Sequence, residues 1–262
     1  MAIASELIRQ EPVFGELFER VSELEILLPA NISSAEKGSA LANDDMALNP
    51  LRLTSSAQLA LMVAIDHLRA VRVLLDAGIP AVSGFTLLRT AIESAATVVW
   101  LLAPTDPLQR ATRQLRNLFT DNKDLGTTVT VIAGRKWVST ATEEALHGKA
   151  ISLGVKVPLT RVSAAEILVD IQDDVLQRDG AGPSDTPIIV TWRFLSAAAH
   201  GRGHFFDLLL SSERNAQQGA NESNSTKFWA DPKLFAAVLG LAVTLTEIAG
   251  EIYAERADAS AL

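Results

Sequence analysis

Arg193 and His200 lie seven positions apart in a run of helix-forming residues, 192–200. Because seven residues are about two turns of an α-helix, both side chains are expected on nearly the same helix face. An arginine binds phosphate oxygens through its fork of N–H donors, and a histidine exchanges protons near neutral pH. The pair is a minimal set for cleaving RNA by attack of a 2′-hydroxyl on the adjacent phosphate. The alternative is structural, with Arg193 bonded to a neighbouring helix and His200 satisfied at a helix end.

A second constellation overlaps the first, because His200, His204 and Asp207 follow one another at spacings of four and three. Two imidazoles and a carboxylate can bind a divalent metal. Gly201 and Gly203 interrupt the same segment, and they more simply mark a bend or a close approach of the backbone. The favoured prediction is therefore a site without metal or cofactor.

Arg89 and Glu93 lie four residues apart in a very apolar segment. A buried ion pair needs hydrogen bonds that offset the cost of desolvating it. The pair is expected either to fix the register of a helical hairpin or to face a polar pocket with Asp66 and His67 from the preceding helix.

Three arginines at spacings of three, Arg110, Arg113 and Arg116, are expected on one flank of a helix. Residues 106–136 carry six basic and three acidic side chains, a local charge of +3 in a chain of −8. This flank, together with Arg202, is the best candidate for binding a nucleic acid. A solvated surface without a ligand is the alternative.

The Arg–x6–His spacing, late in a helical chain, resembles the signature of HEPN-type helical domains. Residues 70–78, 87–93 and 195–201 are similar to segments of uncharacterised bacterial HEPN-like proteins, and the resemblance covers roughly residues 55–210. Many HEPN domains are metal-independent ribonucleases of toxin, defence and RNA-processing systems, and they usually act as dimers. The resemblance implies that Arg193 binds phosphate and that His200 is the general base or acid. A non-catalytic HEPN-like binding or regulatory module is the alternative.

The elements that would position these residues follow from apolar periodicity and from capping signals. Asp106, Ser163 and Asp231 are predicted N-caps, and a break is predicted at Gly201 and Gly203. Residues 31–50 are predicted as a loop, and the β-prone run 127–132 has no obvious partner strand. Helices are predicted at residues 5–28, 54–77, 81–103, 106–125, 139–153, 163–178, 187–211 and 231–256.

Composition limits the function classes. The chain of 262 residues is acidic, with a pI of about 5.1, which argues against a general nucleic-acid coat protein. It has no cysteine, so thiolate nucleophiles and cysteine-ligated metals are excluded. No phosphate-binding loop, dinucleotide fingerprint, His-Glu-x-x-His or Gly-x-Ser-x-Gly motif is present.

We therefore expect an all-α, up-and-down, HEPN-like helical bundle in one domain of residues 1–262. Its parts are an N-terminal helix and loop (1–50), a HEPN-like core (51–211), a mobile loop (212–230) and a closing helix (231–257). The expected partners are a second copy in a homodimer, RNA, and a protein such as an antitoxin. Residues 81–103 and 234–246 are apolar but are predicted as core helices, so a cytoplasmic protein without a membrane span is expected.

Overall fold

The computed structural model describes residues 12–27, 35–77, 81–134, 140–172, 188–203, 205 and 231–261. These residues form an all-α helical bundle without strands, which confirms the predicted fold class. A short 3-10 helix, Ala259–Ala261, closes the described chain. The α-helices of the described residues are α1 (Pro12–Leu27), α2 (Ala40–Leu48), α3 (Leu53–Ala77), α4 (Ala81–Leu102), α5 (Pro107–Ala133), α6 (Thr140–Ser152), α7 (Ala164–Asp170), α8 (Ile188–Ala199) and α9 (Pro232–Ala257).

Helix α4 is the centre of the bundle and packs against α3, α5, α7, α8 and α9. Three residues separate α3 from α4, and such a short connection places the two helices side by side as the predicted hairpin. A helix that is apolar on all sides must be enclosed by others. The large side chains of α4 accordingly lie in the core, among them Phe85, Leu88, Ile92 and Trp100.

Helices α4 and α9 are long and apolar enough to cross a membrane by length and composition alone. Most of each helix lies inside the bundle, where the two pack against one another. The segments predicted as core helices therefore form the core of the bundle.

The predicted N-caps are confirmed in detail. The carboxylates of Asp106 and Asp231 accept hydrogen bonds from first-turn N–H groups of α5 and α9, and a proline follows each of them. Ser163 Oγ accepts from the N–H of Glu166 at 3.2 Å. The carboxylate of Glu166 forms an ion pair with Arg116 at 2.7 Å.

Two predictions about secondary structure are wrong. Residues 31–50 contain helix α2, which begins after the N-cap Ser39. The helix predicted to end at residue 125 continues through the β-prone run 127–132 to Ala133, and threonine hydroxyls in this part bond to carbonyls one turn earlier, as Thr130 does to Gly126 at 2.7 Å. The helix predicted at 163–178 is interrupted after Asp170, where α7 ends, and residues 173–178 lie outside the described residues. The predicted loop 212–230 lies outside the described residues.

Candidate functional site

The end of α8 fixes the position of His200. Gly201 has a left-handed φ of 61°, its N–H bonds to the Ala198 carbonyl at 3.1 Å, and the N–H of Arg202 bonds to the Ala197 carbonyl at 2.9 Å. These two bonds form a Schellman motif, which ends a helix at a glycine. The predicted break at Gly201 is therefore confirmed, and His200 is the exposed C-terminal cap of α8.

Arg193 and His200 are both exposed and lie on the same side of α8. Seven residues correspond to a rise of about 10 Å along the helix axis. Leu195 and Ala198 face the opposite way, into the core. Within the described ranges, no carboxylate forms an ion pair with Arg193. The structure thus presents both predicted side chains to solvent.

An aromatic cluster fastens α8 to the bundle. Phe85 of α4 meets Phe194 edge to face, with ring centroids 6.0 Å apart, and meets Phe205 in the same way at 5.6 Å. Phe235 of α9 lies 5.1 Å from Phe85 on another side. Phe194, the residue after Arg193, therefore serves packing and sets which face of α8 is turned outward.

A polar network at the junction of α4 and α8 lies beside Arg193. Glu93 Oε1 accepts from Arg89 Nη2 at 2.8 Å and from the indole N–H of Trp192 at 2.5 Å. The Arg89 guanidinium also lies over the Trp192 ring, 5.4 Å from its centroid. Both charged side chains are about three-quarters buried. The network links two helices, and Trp192 is the member that the sequence did not reveal.

This network predicts a measurable cost for Glu93→Ala. Alanine leaves two partly buried donors without their acceptor, so the free energy of unfolding should fall by about 1–2 kcal/mol, allowing for partial solvent screening. Glu93→Gln keeps an acceptor oxygen for Trp192 and should lose less. Urea unfolding of the two variants beside wild type measures the difference, and equal losses would contradict a role for the acceptor oxygen.

The other two residues of the predicted pocket do not join this network in the described structure. His67 Nδ1 lies 2.8 Å from the Val63 carbonyl of its own helix, within hydrogen-bond distance. Asp66 is exposed on α3. Arg89 and Glu93 therefore belong to the network between α4 and α8, whereas Asp66 and His67 lie on α3 outside it.

The predicted arginine flank of α5 is contradicted at Arg110, which is buried, whereas Arg113 and Arg116 are partly exposed. Arg110 is 2% exposed and pairs through two nitrogens with Asp44, at 2.6 and 3.0 Å. Arg113 donates to the Trp100 carbonyl and lies over its ring, and Arg116 bonds to Glu166. These guanidiniums are used inside the fold, because each faces carbonyls or a carboxylate of a neighbouring segment. Arg202, by contrast, is exposed beside His200.

A cavity of about 340 Å³ lies where α2, α5 and α9 meet. Asp44, Arg110 and Arg256 line it together with mostly apolar residues. Burial raises the pKa of Asp44, although its hydrogen bond with Arg110 opposes the shift. Arg256 donates to the carbonyls of residues 102–104. The charged groups of this cavity thus bind one another and the backbone, as parts of a structural junction.

The predicted metal constellation cannot be placed as a whole, because His204 and Asp207 lie outside the described residues. Among the residues that the structure describes, no three histidine, aspartate or glutamate side chains are grouped to hold a metal ion.

The comparisons with protein families, with curated proteins and with solved structures found no match to this chain.

Proposed function

We propose that this protein is a HEPN-like ribonuclease of the toxin or defence kind, which cleaves RNA without a metal through Arg193 and His200. One observation supports the proposal above others. Both side chains are exposed on one face of α8, although the helix buries its opposite face and could have used them in the fold. An arginine and a histidine that serve only packing would be expected to meet a carboxylate or a carbonyl.

The chemistry follows from the two groups. The imidazole of His200 takes the proton from a ribose 2′-hydroxyl, and the oxygen attacks the adjacent phosphorus. The guanidinium of Arg193 stabilises the negative charge that builds on the phosphoryl oxygens. The P–O5′ bond then breaks, leaving a 2′,3′-cyclic phosphate and a 5′-oxygen that is protonated from water. Arg202, exposed next to His200, adds positive charge for the approaching backbone.

The second candidate is a non-catalytic binding or regulatory module. The arginines of α5 favour it, because Arg110, Arg113 and Arg116 are engaged within the fold and leave fewer cations for a long RNA. The net charge of −8 also favours the binding module, because an acidic chain repels RNA at long range. In this case Arg193 and His200 contact a partner such as a regulatory protein, and no bond is cleaved.

Cleavage of a mixed pool of structured and single-stranded RNA in EDTA distinguishes the two candidates. Wild type should cleave and leave 2′,3′-cyclic phosphate ends, and His200→Ala should lower the rate at least about 100-fold. Arg193→Ala should act in the same direction, whereas Lys156→Ala removes an exposed charge elsewhere and should keep the activity. Intact RNA at high enzyme and low salt, with every variant folded, would favour the binding module.

A further inference from the structure

Helix α3 exposes a regular line of residues along the side that faces away from the bundle: Leu59, Met62, Asp66, Arg69 and Val73. The apolar members are large and well exposed, at 59% for Leu59, 46% for Met62 and 57% for Val73. Single exposed apolar residues are common on protein surfaces. Here three of them share one line with two charged residues, Asp66 and Arg69, and this line of five residues is named the α3 strip.

The spacing in the α3 strip is three, four, three and four residues. That alternation is the a/d pattern of a coiled-coil seam, along which one helix packs against another. The opposite side of α3 is already occupied, since Leu61, Ile65 and Leu68 are buried in the core. The strip is therefore a second packing surface, and no described helix covers it.

The two charged positions of the strip have opposite signs and lie at its centre. Asp66 and Arg69 are exposed, and in the described part of the chain neither forms an ion pair. A helix that packs here is complementary when it places a basic side chain opposite Asp66 and an acidic side chain opposite Arg69. Helix α3 of a second copy supplies both when it runs antiparallel.

We propose that two copies of this chain associate through the α3 strip, antiparallel, around a two-fold axis midway between Asp66 and Arg69. Asp66 of each copy then faces Arg69 of the other, and Met62 faces Val73 on both flanks. A parallel arrangement would instead place Asp66 against Asp66 and Arg69 against Arg69, which repel. The antiparallel arrangement is isologous, as closed two-fold dimers require.

The size of the strip sets the expected affinity. The paired part of the strip, from Met62 to Val73, is about 17 Å long, at 1.5 Å per residue. One pair of helices of this length buries less surface than a standard permanent interface of about 1,600 Å². The dimer should therefore dissociate on dilution through the micromolar range. This inference is independent of the proposed ribonuclease activity.

Charge reversal gives a matched set of variants for sedimentation velocity. Wild type should show a concentration-dependent dimer, whereas Asp66→Arg and Arg69→Asp, each alone, should be monomeric because like charges face one another. An equimolar mixture of these two variants should dimerise, and so should the double variant carrying both changes. All sites are exposed, so the circular dichroism spectra should match. A monomeric wild type, or single variants that dimerise as well as wild type, would overturn the proposal.

Disulfide trapping tests the direction of the helices. Because the chain has no cysteine, Met62→Cys and Val73→Cys introduce the only thiols. A mixture of the two variants should form a cross-linked dimer under mild oxidation, and each variant alone should form several-fold less. Cross-linking that is strongest for Met62→Cys alone would indicate a parallel arrangement and would refute the proposed one.

Discussion

Replacing Arg110 by alanine should lower the free energy of unfolding by about 3–5 kcal/mol, the usual cost of removing one member of a buried ion pair. Arg110 and Asp44 are 2% and 4% exposed. The guanidinium also donates to the carbonyls of Pro104 and Thr105, at 2.8 and 2.9 Å. Alanine therefore removes the donor from one carboxylate and two carbonyl groups. Urea unfolding followed by circular dichroism measures the loss.

The size of this loss should depend on pH. Burial raises the pKa of Asp44 above its ordinary value of 3.8, and Arg110 limits the rise. Without Arg110 the pKa of Asp44 rises further, so the folded variant holds a proton that the unfolded chain has already released. A carboxyl group whose pKa is raised in the folded state stabilises the fold below its unfolded pKa. This stabilisation is lost as the pH rises through the folded pKa. The difference between variant and wild type should therefore shrink as the pH falls towards the unfolded pKa of Asp44.

Two controls separate the buried pair from a general effect of lost charge. Arg52 pairs with Asp45 at 3.2 Å, but its side chain is 60% exposed, so Arg52→Ala should cost only about 0–1 kcal/mol. Arg110→Ala leaves the carboxylate of Asp44 unpaired. Replacing both Asp44 and Arg110 by leucine removes that charge and should recover part of the lost free energy of unfolding. If Arg110→Ala is no more destabilising than Arg52→Ala, the buried pair does not stabilise the junction as argued.

The sequence predicted the features of the fold that depend on neighbouring residues. The caps Asp106, Ser163 and Asp231 bond to N–H groups two or three positions away. Each cap could therefore be predicted from the few residues next to it. The hairpin of α3 and α4 follows in the same way from apolar periodicity and a short connection. The common face of Arg193 and His200 depends only on the helical repeat, and it too was predictable.

The features that the sequence did not reveal depend on distant partners. Arg110 is indistinguishable from an exposed arginine until Asp44, 66 residues earlier, is known to face it. That carboxylate belongs to α2, whose small and polar residues resemble a loop and are stabilised as a helix by contacts with α3, α5 and α9. Trp192 and Glu93 are 99 residues apart, and no spacing rule connects them. Packing between elements, rather than local propensity, decided these cases.

Phe85→Ala should cost about 3–5 kcal/mol and should loosen α8 more than the rest of the bundle. Phe85 is fully buried and touches the rings of Phe194, Phe205 and Phe235. The packing around it is tight, because a methyl group added at Gly84 would lie 2.7 Å from the Phe235 ring. Removing the ring leaves a cavity that α4 and α9 cannot close without moving, and α8 loses its aromatic anchor.

Hydrogen exchange locates the effect, with Phe119→Ala as the matched control. Phe119 is also a buried phenylalanine, but it lies on α5 and outside the aromatic cluster. At equal global stability, amides of α8 should exchange faster in Phe85→Ala than in Phe119→Ala, because local opening adds to global unfolding. Equal exchange of α8 in both variants would show that the cluster contributes stability without holding this helix. Since α8 carries Arg193 and His200, its loosening would disorder the surface that presents both side chains, and any activity that requires them should fall further than the folded fraction does.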